Sequence, residues 1–214
     1  MRSRSPLAAL LAALLGLACL TGTAAASREL GNEGGRTIES IDRAFTMREP
    51  GGLSISCELS LMGIMMTSNI RKMRGFSAGN IFRSEARACT NSTRMGMTIV
   101  RPLVAEGAPW PMIYDTFAGT LPAITEVRFL WRMSFLIQIE PGMACLYDGV
   151  VPVTTEGEKG REFYTITRFT LQAGNRINLV TTLREEVMKR CPASLELRGS
   201  FVGERIRVVI ILIN

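Results

Sequence analysis

Two carboxylates could carry chemistry in residues 108–131, the most patterned stretch of the chain. Asp115 and Glu126 lie there with Arg128, both tryptophans and a tyrosine. If the stretch folds as a hairpin, the two carboxylates become cross-strand neighbours about 5 Å apart at Cβ. Retaining glycosidases hold their two carboxyl groups at about that separation. These three residues are therefore the candidate binding or catalytic group, although Arg128 could simply neutralise the carboxylates on a solvated face.

A hairpin that would position these residues is predicted from the alternation of side chains. Its strands are 110–117 and 124–131, and its loop is 119–122. The register places four pairs on one face, namely Trp110–Trp131, Met112–Phe129, Tyr114–Val127 and Thr116–Thr125. Aromatic cross-strand pairs are a normal way to stabilise a sheet. The pattern therefore favours a buried aromatic row over an exposed sugar-binding platform.

The residue types missing from the chain exclude several chemistries. The sequence contains no histidine, which rules out a Ser-His-Asp triad, a Cys-His pair and a histidine-ligated zinc. It also lacks the glycine-rich motifs of nucleotide sites and the spaced aspartates of calcium loops. We expect no cofactor, no metal and no enzymatic activity.

The amino-terminal residues have the pattern of a secretory signal peptide. Two arginines precede an apolar run from Pro6 to Leu20, and small residues follow it. Cleavage is expected after Ala26, and a lipoprotein signal using Cys19 is the alternative. The run is short for a membrane span, and no later segment reaches 18 apolar residues, so no transmembrane segment is predicted.

The remaining cysteines predict two disulfides. An even number of cysteines in an exported protein indicates a disulfide framework. The four positions allow three pairings, and sequential pairing is favoured because it cross-links neighbouring segments of the chain. The pairs would then be Cys57–Cys89 and Cys145–Cys191.

The charge of the chain does not favour nucleic-acid binding. The formal net charge is +6, and removal of a leader containing Arg2 and Arg4 leaves +4. The basic residues are spread out, whereas nucleic-acid interfaces need a basic stripe or patch. Arginine greatly outnumbers lysine, which together with many alanines and glycines suggests a bacterial gene of high GC content.

Short alternating segments predict an all-β protein. The segment 53–61 places Leu53, Ile55, Cys57, Leu59 and Leu61 on one face. In 161–171 the face carrying Phe163, Thr165, Thr167, Phe169 and Leu171 is expected to be the core face. We predict an antiparallel β-sandwich, or a partly closed barrel, of about ten strands with at most one or two short helices. The candidate helices are 181–192 and 68–75.

The domain boundaries follow from the same patterns. Residues 1–26 form the leader, and 27–36 are polar and glycine-rich, which predicts a flexible lead-in. Residues 37–214 contain no linker and are expected to fold as one β-sandwich domain. The apolar run in 208–213 is expected to be a central strand buried on both faces.

Several segments together resemble a group of exported actinobacterial proteins. The segments are GGLSISCELSLMG, RGFSAGNIF…ARAC, PWPMIYDTFAGTLPAITEVRF and CPASLELRGSFVG, in that order. The resemblance implies secretion and paired cysteines, and it implies no activity.

These expectations converge on a secreted or cell-envelope structural or interaction module without catalysis. Its partner is unknown and could be a component of the cell envelope. One alternative is a carrier of a small apolar or lipid ligand in the interior of the sandwich or barrel, which would need a cavity of about 300 Å³ or more. Another is a glycan-binding or glycan-hydrolysing protein, which would expose Trp110 or Tyr114 on the hairpin.

Overall fold

The computed structural model describes residues 28–32, 37–65, 74–92, 98–120, 123–140, 143–161, 163–180 and 191–212. These residues form an antiparallel sheet of eleven strands and contain no helix. Nearly all of them belong to one compact unit, Glu29–Ile211, which is defined by contacts within the chain. The all-β fold class predicted from the sequence is confirmed.

The eleven strands are numbered in chain order. They are β1 (Arg28–Asn32), β2 (Thr37–Arg48), β3 (Ser54–Met65), β4 (Ser77–Asn91), β5 (Ile99–Pro102), β6 (Trp110–Thr120), β7 (Ala123–Glu140), β8 (Met143–Lys159), β9 (Phe163–Leu171), β10 (Arg176–Leu179) and β11 (Ser194–Leu212).

Backbone pairing closes eight of these strands into a ring. The order is β2-β3-β4-β6-β7-β8-β9-β11, and β11 pairs again with β2. The contact between β4 and β6 is short, running from Ser77 to Ile81 on β4. Strand β5 adds to β7, β10 pairs with both β8 and β11, and β1 pairs with β11. The sheet is thus a partly closed barrel with additional strands rather than a regular one.

Strand β3 shows why alternation predicts burial so well here. Leu53 and the inward residues of β3 are all buried, while Ser54, Ser56 and Glu58 point outward and are partly exposed. The period-2 pattern places every second side chain on the core face. This segment follows the prediction along its whole length.

Strand β9 departs from its predicted face at a bulge. Thr167 is the extra residue, because Arg168 pairs with Glu156 whereas Ile166 pairs with Gly157. A one-residue insertion exchanges the two faces of a strand. Consequently Phe169 and Leu171 are buried as predicted. On the other side of the bulge Thr165 is also buried, but Tyr164 and Ile166, which were expected to point outward, are buried as well.

Other predicted segments have mixed outcomes. Within the predicted lead-in 27–36, Arg28–Asn32 form β1. The leader 1–26 and most of the candidate helices 181–192 and 68–75 lie outside the described residues. In the predicted central strand 208–213, Val208 is buried and pairs with Tyr164 of β9.

Both predicted disulfides are present. Cys57–Cys89 joins β3 to β4, with 4.2 Å between the Cα atoms. Cys145–Cys191 joins β8 to the residues just before β11, with 5.9 Å between the Cα atoms. The sequential pairing is therefore confirmed.

A continuous string of aromatic rings runs through the hydrophobic core. Neighbouring ring centroids are 5.2–6.3 Å apart. The string runs in the order Trp110, Phe135, Phe45, Phe201, Trp131, Phe169 and Phe129. Such separations are those of favourable aromatic pairs. Seven buried aromatic side chains therefore form one connected part of the core.

Candidate functional site

The aromatic residues of the hairpin do not form a surface. Trp110 is 3% exposed and Trp131 is 1% exposed, and Tyr114 is also buried. Burial, with a smaller effect of the neighbouring Asp115 charge, raises the pKa of Tyr114 to about 12. The interpretation of these aromatics as core is confirmed, and neither Trp110 nor Tyr114 offers a face on which a sugar ring could stack.

The hairpin exists, but its predicted register is wrong. Strand β6 continues to Thr120, which pairs with Ala123, so the loop contains only residues 121–122. Trp131 faces Met112 rather than Trp110, and the register shifts twice along the hairpin. The prediction assumed a regular ladder with a four-residue loop, and bulges break that assumption.

The shifted register separates the candidate carboxylates. Asp115 is the extra residue of a bulge in β6, and its carboxylate bonds to Arg74 at 2.8 Å. Glu126 pairs with Ala118 across the hairpin and bonds to Arg128. The hydrogen bond and charge of Glu126 raise the pKa of Arg128. Each carboxylate thus has its own arginine, and the cross-strand pair required for glycosidase chemistry is not formed.

Among the described residues, Asp42 is the carboxylate that is buried, and its contacts indicate a structural role. It is 6% exposed, and its oxygens accept hydrogen bonds from backbone N–H groups of β2 and β11. Buried charged groups need such partners. Because both oxygens are engaged by the backbone, Asp42 is positioned to hold two strands together.

A groove on the outside of the ring is a concave surface without an obvious structural role. It crosses the outer face of β11, β2, β3 and β4 and has a volume of about 440 Å³. Three apolar side chains form its floor, namely Val202, Ile41 and Met62. Glu39 and Arg83 stand on either side, and we call this surface the outer groove.

The register fixes how the outer groove is arranged. Val202 pairs with Ile41 across β11 and β2, and they are 48% and 36% exposed. Two residues further along the face, Met62 of β3 lies between its two register partners, Glu39 on β2 and Arg83 on β4. Glu39 and Arg83 are both exposed, and neither has an ion-pair partner among the described residues.

A second depression of about 290 Å³ adjoins the outer groove. It is lined by Ile64, Asn80 and Phe82, together with Glu106 and Pro109 from the connection between β5 and β6. Ile64 follows Met62 on the outer face of β3 and is 46% exposed. The apolar surface therefore continues along β3 beyond the groove itself.

The connection 103–109 forms a compact projection beside this depression. Ala105 and Ala108 exchange two backbone hydrogen bonds across its turn. The indole N–H of Trp110 donates to the carbonyl oxygen of Leu103 at 2.9 Å, which joins the two ends of the projection. These bonds give the second depression a wall of defined position.

The outer faces of β7, β8 and β9 have a different character. Arginines pair there with carboxylates within the chain, as in Arg132–Asp148 and Arg168–Glu156. Partial burial alone would raise the pKa of Asp148, but hydrogen bonds from Arg132 and Ser134 outweigh this effect and lower it. Such a surface is typical of a solvated face, so exposed apolar residues in a concave setting distinguish the outer groove.

The sequence does contain a signal for the outer groove. The outward positions of β3 are Ser54, Ser56, Glu58 and Ser60, followed by Met62 and Ile64. The polar face thus becomes apolar in the last third of the strand. This change was missed because the predicted strand ended at residue 61.

The described residues contain no cluster of histidine, cysteine, aspartate or glutamate able to hold a metal ion. They also contain no helix with the length and apolar character needed to span a bilayer. Comparison of the chain with models of protein families, with curated proteins and with solved structures finds no match.

Proposed function

We propose that the protein is a secreted or cell-envelope interaction module that binds a protein partner through the outer groove and has no catalytic activity. The observation that carries this proposal is the pair Val202 and Ile41. They are neighbours across two strands, both are apolar and exposed, and both line a concave surface. Exposed apolar residues gathered in this way are typical of binding surfaces.

Export is supported by two independent features. The amino-terminal pattern is that of a signal peptide. The two disulfides are compatible with an oxidising compartment outside the cytoplasm. The resemblance of several segments to exported actinobacterial proteins points in the same direction.

The two alternative functions have less support. An interior carrier needs a cavity among the strands, and large aromatic side chains in mutual contact take up part of that interior. A glycan-binding hairpin needs exposed aromatic residues, and Trp110 is buried. The outer groove has a volume within the range of ligand sites. However, its floor lies on the outside of the sheet, so it is not the interior cavity that the carrier hypothesis requires.

The test compares two exposed valines. Val202 lines the outer groove, and Val150 on β8 is similarly exposed at 52% but lies outside it. The full chain, with its leader, is expressed in the native cells, and the cell-envelope fraction is separated from the medium. We expect the wild-type protein and Val150→Asp to stay with the envelope and Val202→Asp to be released. Equal retention of both variants would contradict the proposal.

A further inference from the structure

The outer groove can be recognised through side chains but not through backbone pairing. Strand β2 is paired with β11 and β3, and β3 is paired with β2 and β4. A partner cannot add a strand at this surface, because strand addition needs a free sheet edge. The occupant must therefore satisfy its own backbone hydrogen bonds, and an α-helix does so within itself.

The dimensions of the floor suit a helix. Glu39 and Arg83 are two strand spacings apart, which corresponds to about 10 Å. An α-helix with its side chains is about 10–12 Å wide. Along β3, the outer floor from Ser60 to Ile64 extends about 13 Å. About nine helical residues cover that length at 1.5 Å per residue.

The charges give the occupant a further property. Glu39 stands on the β2 side of Met62 and Arg83 on the β4 side, and neither has an ion-pair partner in the part of the chain that the structure describes. In contrast, Glu85 at the edge of the groove is bonded to Arg87 at 2.7 Å. A complementary helix would therefore place a basic residue beside Glu39 and an acidic residue beside Arg83.

We infer that the outer groove, together with the adjoining surface at Ile64, receives an amphipathic α-helix of a partner protein, lying along β3, with its apolar face on Met62 and Ile64 and flanks of opposite charge. This inference rests on the proposed function, because it assumes that the groove is the binding surface. It adds the structural class of the partner segment and the charge of each flank. Helix-in-groove recognition commonly uses apolar anchors spaced at i, i+3, i+4 and i+7.

Three designed peptides test the inference. Each is a labelled 14-residue helix with leucines on one face, and their flanks carry lysine and glutamate, glutamate on both sides, or lysine on both sides. Affinity is measured by fluorescence anisotropy with the folded, disulfide-bonded protein. A peptide with the composition of the first and a scrambled order serves as the control. The two protein variants are Glu39→Lys and Arg83→Glu, each checked for folding by circular dichroism.

The expected result is that the order of peptide affinities differs between the wild-type protein and the two variants. The wild-type protein should bind the lysine/glutamate peptide most tightly. Each flank of the wrong charge in the other peptides should weaken binding by about two- to fivefold. Glu39→Lys should prefer the peptide with two glutamate flanks, and Arg83→Glu the peptide with two lysine flanks. The same order of peptide affinities in all three proteins would overturn the inference, and so would affinities no higher than that of the scrambled control. Retention in the cell envelope is measured separately, so a failure here is distinguishable from a failure of the proposed function.

Discussion

The carboxylate of Asp42 accepts a hydrogen bond of 2.6 Å from the backbone N–H of Ser200, a residue 158 positions further along the chain. Its other oxygen accepts a 2.8 Å bond from the N–H of Ala44. The β2–β3 register shifts directly after Asp42, and the β2–β11 register shifts around Ser200. One buried side chain therefore bonds N–H groups at two irregular points of the ring.

Replacement of this carboxylate should destabilise the fold. We expect Asp42→Ala to lower the free energy of unfolding by about 2–4 kcal/mol, because hydrogen bonds to charged groups are strong and two N–H donors lose their acceptor. Asp42→Asn retains one acceptor oxygen and should cost less. Denaturant unfolding measures the effect, with Glu39→Ala as an exposed control on the same strand. A loss no greater than that of the control would show that the backbone relaxes around the missing group.

The two tryptophans differ in one hydrogen bond, which allows a matched comparison. Both indoles are buried, but Trp110 donates to Leu103, whereas the N–H of Trp131 has no acceptor among the described residues. Substitution by phenylalanine removes a similar volume at each position. We expect Trp110→Phe to cost about 1 kcal/mol more than Trp131→Phe, the usual net value of one hydrogen bond.

Amide hydrogen exchange provides a second measurement for the same pair of variants. Amide exchange at Ala105 and Ala108 should become faster in Trp110→Phe and remain unchanged in Trp131→Phe, because only the former releases the projection 103–109. If Trp131→Phe costs as much stability and exchange does not distinguish the variants, the Trp110–Leu103 bond does not hold the projection.

The tyrosines predict a specific alkaline behaviour. The chain has three tyrosines, and burial raises the pKa of each of them, Tyr114, Tyr147 and Tyr164. A raised folded-state pKa means that the folded form holds its protons longer than the unfolded form. The contribution of these tyrosines to the free energy of unfolding is therefore constant well below pH 10, the ordinary tyrosine value, and it is lost as the pH rises above that value.

Absorbance at 295 nm tests this behaviour directly. In the native protein, tyrosinate should not appear near pH 10 and should develop only together with alkaline unfolding followed by circular dichroism. In urea the three groups should titrate with a midpoint of about 10. A native titration step of one tyrosine near pH 10 would show that this ring is accessible to solvent.

Local alternation was sufficient to predict much of the fold. The core face of β3 follows from residue spacing, because a strand without bulges alternates strictly. The disulfide pairing follows from the number and order of the cysteines. The faces of β9 were predicted correctly only on one side of Thr167, and the hairpin register failed for the same reason. Bulges depend on contacts with other strands, such as the bond from Ser200 to Asp42, and the local pattern does not contain them.

Apart from the apolar end of β3, the outer groove could not be predicted from the sequence, for a related reason. Val202, Ile41 and Met62 come from three strands, and their adjacency depends on the closure of β11 against β2. Taken singly, each is an ordinary apolar residue in a strand. In contrast, the carboxylates singled out from the sequence were close along the chain, and the register then moved them apart.

The disulfides also bear on how the molecule can be assembled. The two linked spans, 57–89 and 145–191, do not overlap, and each cross-link closes within its own part of the chain. In a chain exported amino end first, as we propose, Cys57 and Cys89 can pair before Cys145 has crossed the membrane. On that proposal, the order of emergence would favour the sequential partner of each cysteine over the other pairings.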